Sequence, residues 1–163
     1  MQKMVYLSLG SNIGDRASNL QSAIEKISTL GEVISQSSLY ETEPVEVSGH
    51  PWYLNCAVAL KTEKMPKQLM SALLAIEQDM GRRRSHERMP RKIDIDILLF
   101  NNDQYDLPFL KIPHPEMQNR RFALTPLAEI AGDLQHPVLK KSITQLLEEC
   151  PDELAVKKYV TTN

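Results

Sequence analysis

Residues 91–100 read RKIDIDILLF. Ile93, Ile95, Ile97, Leu98, Leu99 and Phe100 are apolar and mostly β-formers, so the run reads as a strand entering a core. Asp94 and Asp96 interrupt it. Side chains alternate faces along a strand, so both carboxylates point the same way, with Cα atoms about 7 Å apart. Two like charges on one face of a largely buried strand each raise the other's cost of ionisation. A cation between them removes that cost. Mg²⁺ takes hard oxygen ligands, commonly one or two carboxylates with waters and substrate phosphates. The alternative at this point is an edge strand whose carboxylates face solvent.

The residues before the strand favour the cation. GRRRSHERMPRK holds Arg82, Arg83, Arg84, Arg88, Arg91 and Lys92 within twelve residues. Such a run by itself is a solvated loop. Beside an acidic pair, its arginines suit the anionic oxygens of a phosphate chain, which guanidinium meets in bidentate geometry. A loop that starts at Gly81 is also able to close over a substrate and withdraw.

Working outward, KMVYLSLG reads as a first strand and GSNIGD as a turn. Asp15 or Ser18 caps a helix with Leu20, Ala23, Ile24, Ile27 and Leu30 on its apolar face, and Gly31 ends it. EVISQSSLYET is a second strand, EPVEVSGHP a loop and WYLNCAVALKT a third strand. Pro66 opens a second helix, PKQLMSALLAIEQDMG, with Leu69, Leu73, Ile76 and Met80 on one face and Gly81 as its stop. The order β-α-β-β-α-β predicts an α+β, ferredoxin-like sheet with helices on one face. From Asn101 onward the pattern is weaker; IPHPEMQNRRFALTPLAEIA predicts short helices punctuated by Pro113, Pro115 and Pro126, and SITQLLEEC a closing helix. The expectation is one domain, residues 1–163.

Composition narrows the class. The chain of 163 residues is 42% hydrophobic and 25% charged, with net charge −2, which argues against a protein that coats nucleic acid. Cys56 and Cys150 form no metal-ligand or redox pattern, and Cys56 reads as a small core residue. The start MQKMVYLSLGS lacks the apolar length of a signal peptide, and no run approaches the roughly 20 apolar residues of a membrane span. The reading is a cytoplasmic monomer.

Neither G-x-x-x-x-G-K-[ST] nor G-x-G-x-x-G is present, so GSNIG is a tight turn before it is a phosphate cradle. In WYLNCAV, Tyr53, Asn55 and Ala57 share one face, and Leu54, Cys56 and Val58 the other. A ring beside an amide suits a flat heterocycle with a hydrogen-bonding edge. Phe122 is either a second ring or a core residue. His114, between two prolines, is either structural or a phosphate donor.

Taken in order, LGSNIGDR, SSLYETEPV, PWYLNCAV, IEQDMGRRR, PRKIDIDILLF and IPHPEMQNRRFALTPL resemble the 6-hydroxymethyl-7,8-dihydropterin pyrophosphokinase family of folate biosynthesis, from about Met4 to about Ile130. The resemblance implies transfer of pyrophosphate from ATP to the pterin alcohol, with release of AMP. It implies that Asp94 and Asp96 hold two Mg²⁺ ions. It places Thr42, Val45, Tyr53, Asn55 and Phe122 at the pterin, and Glu77, Arg84, Ile97, His114 and Arg120 at ATP. Arg82, Arg84 and Arg91 match the loop arginines assigned to catalysis. The chain departs from the family pattern in RMPRK, which lacks the usual Gly before Pro90, at Pro115, where some relatives carry an aromatic residue, and at Leu74, where some carry a polar one.

Two competitors are separable. A two-metal nucleotidyltransferase also places aspartates on a βαββαβ sheet, but releases free pyrophosphate. A non-catalytic RNA-binding domain of this topology needs aromatic and basic residues on the sheet and has no use for Asp94 and Asp96.

Overall fold

The computed structural model describes residues 2–44, 51–81 and 92–160. The elements are β1 (Lys3–Ser11), α1 (Arg16–Ile27), β2 (Glu32–Gln36), β3 (Tyr40–Thr42), β4 (Tyr53–Thr62), α2 (Pro66–Asp79) and β5 (Asp94–Phe100), followed by β6 (Tyr105–Leu107), β7 (Leu110–Ile112), a 3₁₀ turn (Met117–Asn119), α3 (Arg121–Ala131), α4 (Ile143–Glu148) and β8 (Val156–Lys158). The main sheet runs β5-β1-β4-β3-β8, with β2 also paired to β4. Its ladders are antiparallel. This is the expected α+β, ferredoxin-like arrangement.

Alternation sorts the strands into two faces. Val5, Leu7 and Leu9 of β1, Leu54, Cys56, Val58 and Leu60 of β4, and Ile95 and Ile97 of β5 pack with Leu20, Ala23 and Ile27 of α1 and Leu69, Leu73 and Ile76 of α2. These helix residues are spaced three and four apart, so each helix buries one stripe on that face. Asp15 caps α1, accepting the Ser18 N–H at 3.1 Å. Gly81, at φ +96°, follows the end of α2. The opposite face packs Ala57, Leu98 and Leu99 against Ala123, Leu124 and Leu127 of α3 and Ile143 and Leu146 of α4. The C-terminal helices therefore cover part of the second face.

Three readings need correction. Helix α1 ends at Ile27, not at Gly31. Gly31 serves the next turn, where a Cβ would collide with the Lys61 carbonyl. The second strand is two, because Ser37 turns its own hydroxyl onto the ladder and takes the Ala57 N–H at 2.9 Å between β2 and β3. Residues 105–112, where the sequence pattern predicts no element, form a hairpin whose Leu110 and Ile112 are buried. Pro126 lies inside α3 without ending it, since the packing of Leu124 and Leu127 outweighs one missing backbone donor.

Candidate active site

The register of the sheet sets the site. Asp94 on β5 lies opposite Gly10 on β1, Gly10 lies opposite Asn55 on β4, and Asn55 lies opposite Tyr40 on β3. Paired residues share a face, so the carboxylate and the amide belong to one transverse row, two strands or about 10 Å apart. The neighbouring row holds Asp96, Ser8 and Ala57. The partners of the two aspartates on β1, Gly10 and Ser8, are both small.

On the β5 side, Asp94 and Asp96 line a cleft of about 630 Å³. Glu77, Ile97, His114 and Arg120 line it too, with Leu74 and Pro115. All six expected nucleotide and metal residues outside 82–91 thus converge on one depression between α2, β5 and the β6–β7 hairpin. Glu77 is 2% exposed, and its carboxylate accepts the Ile95 N–H at 2.8 Å. Strand β5 is the sheet edge, so its outward N–H groups need a partner from elsewhere, and α2 supplies one. The His114 backbone N–H donates to Leu98 on the same edge, at 2.9 Å. Its Nδ1 accepts from the Glu116 N–H at 3.1 Å, so a neutral ring carries its proton on Nε2. Burial lowers the His114 pKa first, and Arg120 lowers it further, against smaller upward pulls from Glu116 and Asp94. His114 is therefore a neutral donor at pH 7.

On the β4 side, Asn55 is 4% exposed and donates from Nδ2 to Thr42 Oγ1 at 2.6 Å. Tyr53 shares its face, two residues back along β4. Phe122, on the first turn of α3, is packed at the margin of the second core, and the Arg120 guanidinium lies 5.8 Å from its ring centre. Arg120 therefore touches both halves, lining the cleft while stacking on Phe122. Of the expected site residues, Val45, Arg82, Arg84 and Arg91 lie outside the described residues.

Sequence reading missed Gly10. A Cβ there would stand 2.5 Å from Asn55 Oδ1 and 3.2 Å from Tyr53 Cδ1. Its signal was a glycine inside a strand, which marks close approach of a neighbour. The motif GSNIGDR has a structural task. Asn12 Nδ2 donates to the Pro51 carbonyl at 3.3 Å and Arg16 Nη1 to the Trp52 carbonyl at 2.9 Å, fixing the entry to β4 just before Tyr53.

Two same-side carboxylates and small cross-strand neighbours fit a hard divalent cation. Among the described residues no group of three or more His, Cys, Asp or Glu side chains is placed to hold a metal. Two protein ligands completed by water and phosphate is the habit of Mg²⁺.

The fold and site together define a ferredoxin-like α+β protein with an acidic cleft beside an amide-and-aromatic surface. A family model for 7,8-dihydro-6-hydroxymethylpterin-pyrophosphokinase (HPPK) matches residues 6–132. The 2-amino-4-hydroxy-6-hydroxymethyldihydropteridine pyrophosphokinase of Pseudomonas aeruginosa is 40% identical over 94% of this chain and 95% of its own. The folic acid synthesis protein fol1 of Schizosaccharomyces pombe is 37% identical over 93% of this chain, which spans only 21% of that longer protein. A crystal structure of Plasmodium falciparum HPPK-DHPS with pteroate superposes with a TM-score of 0.75 over 91% of this chain and 42% of that one, at 18% identity, a likeness of fold. This chain belongs to the 7,8-dihydro-6-hydroxymethylpterin-pyrophosphokinase family. Among the described residues no helix is long and apolar enough to cross a membrane.

Proposed function

We propose that the protein transfers pyrophosphate from ATP to 6-hydroxymethyl-7,8-dihydropterin and releases AMP, as the names of its relatives describe. One observation carries the reading. Asp94 and Asn55 face the same way in one row of the sheet, with only Gly10 between them. A flat heterocycle held against Asn55 and Tyr53 then directs a short substituent along that row toward the carboxylates.

Each half has its task. Asn55, already oriented by Thr42, presents its amide oxygen to ring N–H groups, while Tyr53 and Phe122 supply stacking surfaces. Glu77, Ile97, His114 and Arg120 line the nucleotide side, with His114 and Arg120 as donors to phosphate oxygens. Asp94 and Asp96 would hold the metal, two Mg²⁺ ions in this reading, whose chemistry is to neutralise triphosphate charge and polarise the transferred phosphorus. The pterin hydroxyl oxygen forms a bond to the β-phosphorus. The bond from that phosphorus to the α,β-bridging oxygen breaks, the bridging oxygen leaves with AMP, and the hydroxyl proton passes to solvent. Positioning and fixed charge carry most of the acceleration, as in other phosphoryl transfers. Arg82, Arg84 and Arg91 keep the roles that the sequence resemblance implies.

The protein is further read as a cytoplasmic monomer with small-molecule partners and no nucleic acid, in keeping with a net charge of −2 and two free cysteines. The test is to incubate it with ATP, Mg²⁺ and the reduced pterin alcohol and identify the nucleotide product. Pterin-dependent AMP is expected; ADP, or AMP formed equally without pterin, overturns the assignment.

A further inference from the structure

Helix α3 carries two residues toward the sheet. Phe122 sits on its first turn and Glu129 seven residues later, two turns and about 10 Å along the same face. Glu129 holds β3 and the residues leading into it with both oxygens. Tyr40 Oη donates to Oε1 at 2.6 Å and the Ser38 N–H donates to Oε2 at 2.7 Å. Tyr40 lies directly across from Asn55, and Thr42, next on the same face of β3, receives the Asn55 amide. The helix that carries Phe122 is thus tied to the strand that orients Asn55.

The charges suit a fixed tie. Burial pulls the Glu129 carboxyl upward, but the bonds from Tyr40 and Ser38, with Lys158 nearby, hold it below the usual carboxylate range. Burial, then the bond to Glu129 and its charge, push the Tyr40 phenol up to about 12. Near pH 7 the pair is one carboxylate and one phenol, the combination that makes a short charge-assisted bond.

Resting on the functional reading above, we infer that Tyr40 and Glu129 are positioning residues for the pterin, which set the gap between Phe122 on α3 and the Asn55–Thr42 pair on the sheet. Neither is assigned contact with the substrate. The cleft that takes ATP lies on the other side of β1, so loss of the tie reaches the pterin side first.

The test measures two affinities in parallel on the full chain: the pterin by fluorescence titration, and a non-hydrolysable ATP analogue with Mg²⁺ by calorimetry. Glu129→Ala is expected to weaken pterin binding roughly tenfold, the scale of one charge-assisted hydrogen bond. The ATP analogue should change by less than about twofold, as for independent sites. Tyr40→Phe should give part of the pterin loss, and Glu129→Gln, which keeps an acceptor, should recover most of it. Equal losses for both ligands, or unchanged pterin affinity in a Glu129→Ala protein with intact circular dichroism, overturn the inference. A wild-type protein that binds the ATP analogue but no pterin overturns the functional reading itself, and is told apart because it needs no variant.

Discussion

The carboxylate of Glu77 takes the backbone N–H of Ile95 at 2.8 Å, and Ile95 is the residue between Asp94 and Asp96. The second helix therefore holds the acidic pair through the strand's own backbone. Glu77→Ala leaves a buried N–H without that acceptor and should cost about 1–3 kcal/mol of stability. Glu77→Gln keeps an acceptor and should cost less. Urea denaturation of the two variants checks this. Equal stability of Glu77→Ala and wild type would remove Glu77 as the strand's anchor.

Gly10 leaves room for the amide opposite. In Gly10→Ala the new methyl meets Asn55 Oδ1 at 2.5 Å, so the amide must shift. Pterin KM should rise roughly ten- to a hundredfold, the scale of an ångström of misplacement. ATP KM should move far less. Steady-state kinetics with each substrate varied separately would show it, and a rise confined to ATP would place the heterocycle elsewhere.

His136 predicts a pH limit on stability. The ring is 4% exposed, its Nδ1 accepts the N–H groups of Val138 and Leu139 at 3.1 and 3.0 Å, and its Nε2 has no partner among the described residues. A proton on Nδ1 would break both bonds. Burial lowers the pKa from its ordinary value of 6.5. The folded state therefore binds this proton less readily than the unfolded chain does. Its contribution to stability is present above about 6.5 and is lost as pH falls below that value. Thermal melts across this range should fall more steeply in wild type than in His136→Gln. Parallel curves would acquit His136.

Much of this was legible in the chain because the signals are local. The alternation in RKIDIDILLF put Asp94 and Asp96 on one side, and that in WYLNCAV put Tyr53 with Asn55, both as observed. The apolar spacing of α1 and α2 marked the face they cover. What escaped depends on partners distant in sequence. The break between β2 and β3 comes from Ser37 meeting Ala57, and β8 exists only because β3 offers it an edge. The β6–β7 hairpin is three residues a side, too short for a periodicity to show. Gly10 was readable as a strand glycine, but what it makes room for lies 45 residues on.

In the proposed function Asp94 and Asp96 tolerate each other because a divalent cation and a polyphosphate complete the site. Calorimetric binding of a non-hydrolysable ATP analogue, with Mg²⁺ and again with EDTA, tests it on wild type and on Asp94→Asn/Asp96→Asn. Tight binding is expected only for wild type with Mg²⁺, and weak, Mg²⁺-independent binding for the double variant. Full Mg²⁺-dependent affinity in the double variant would contradict it.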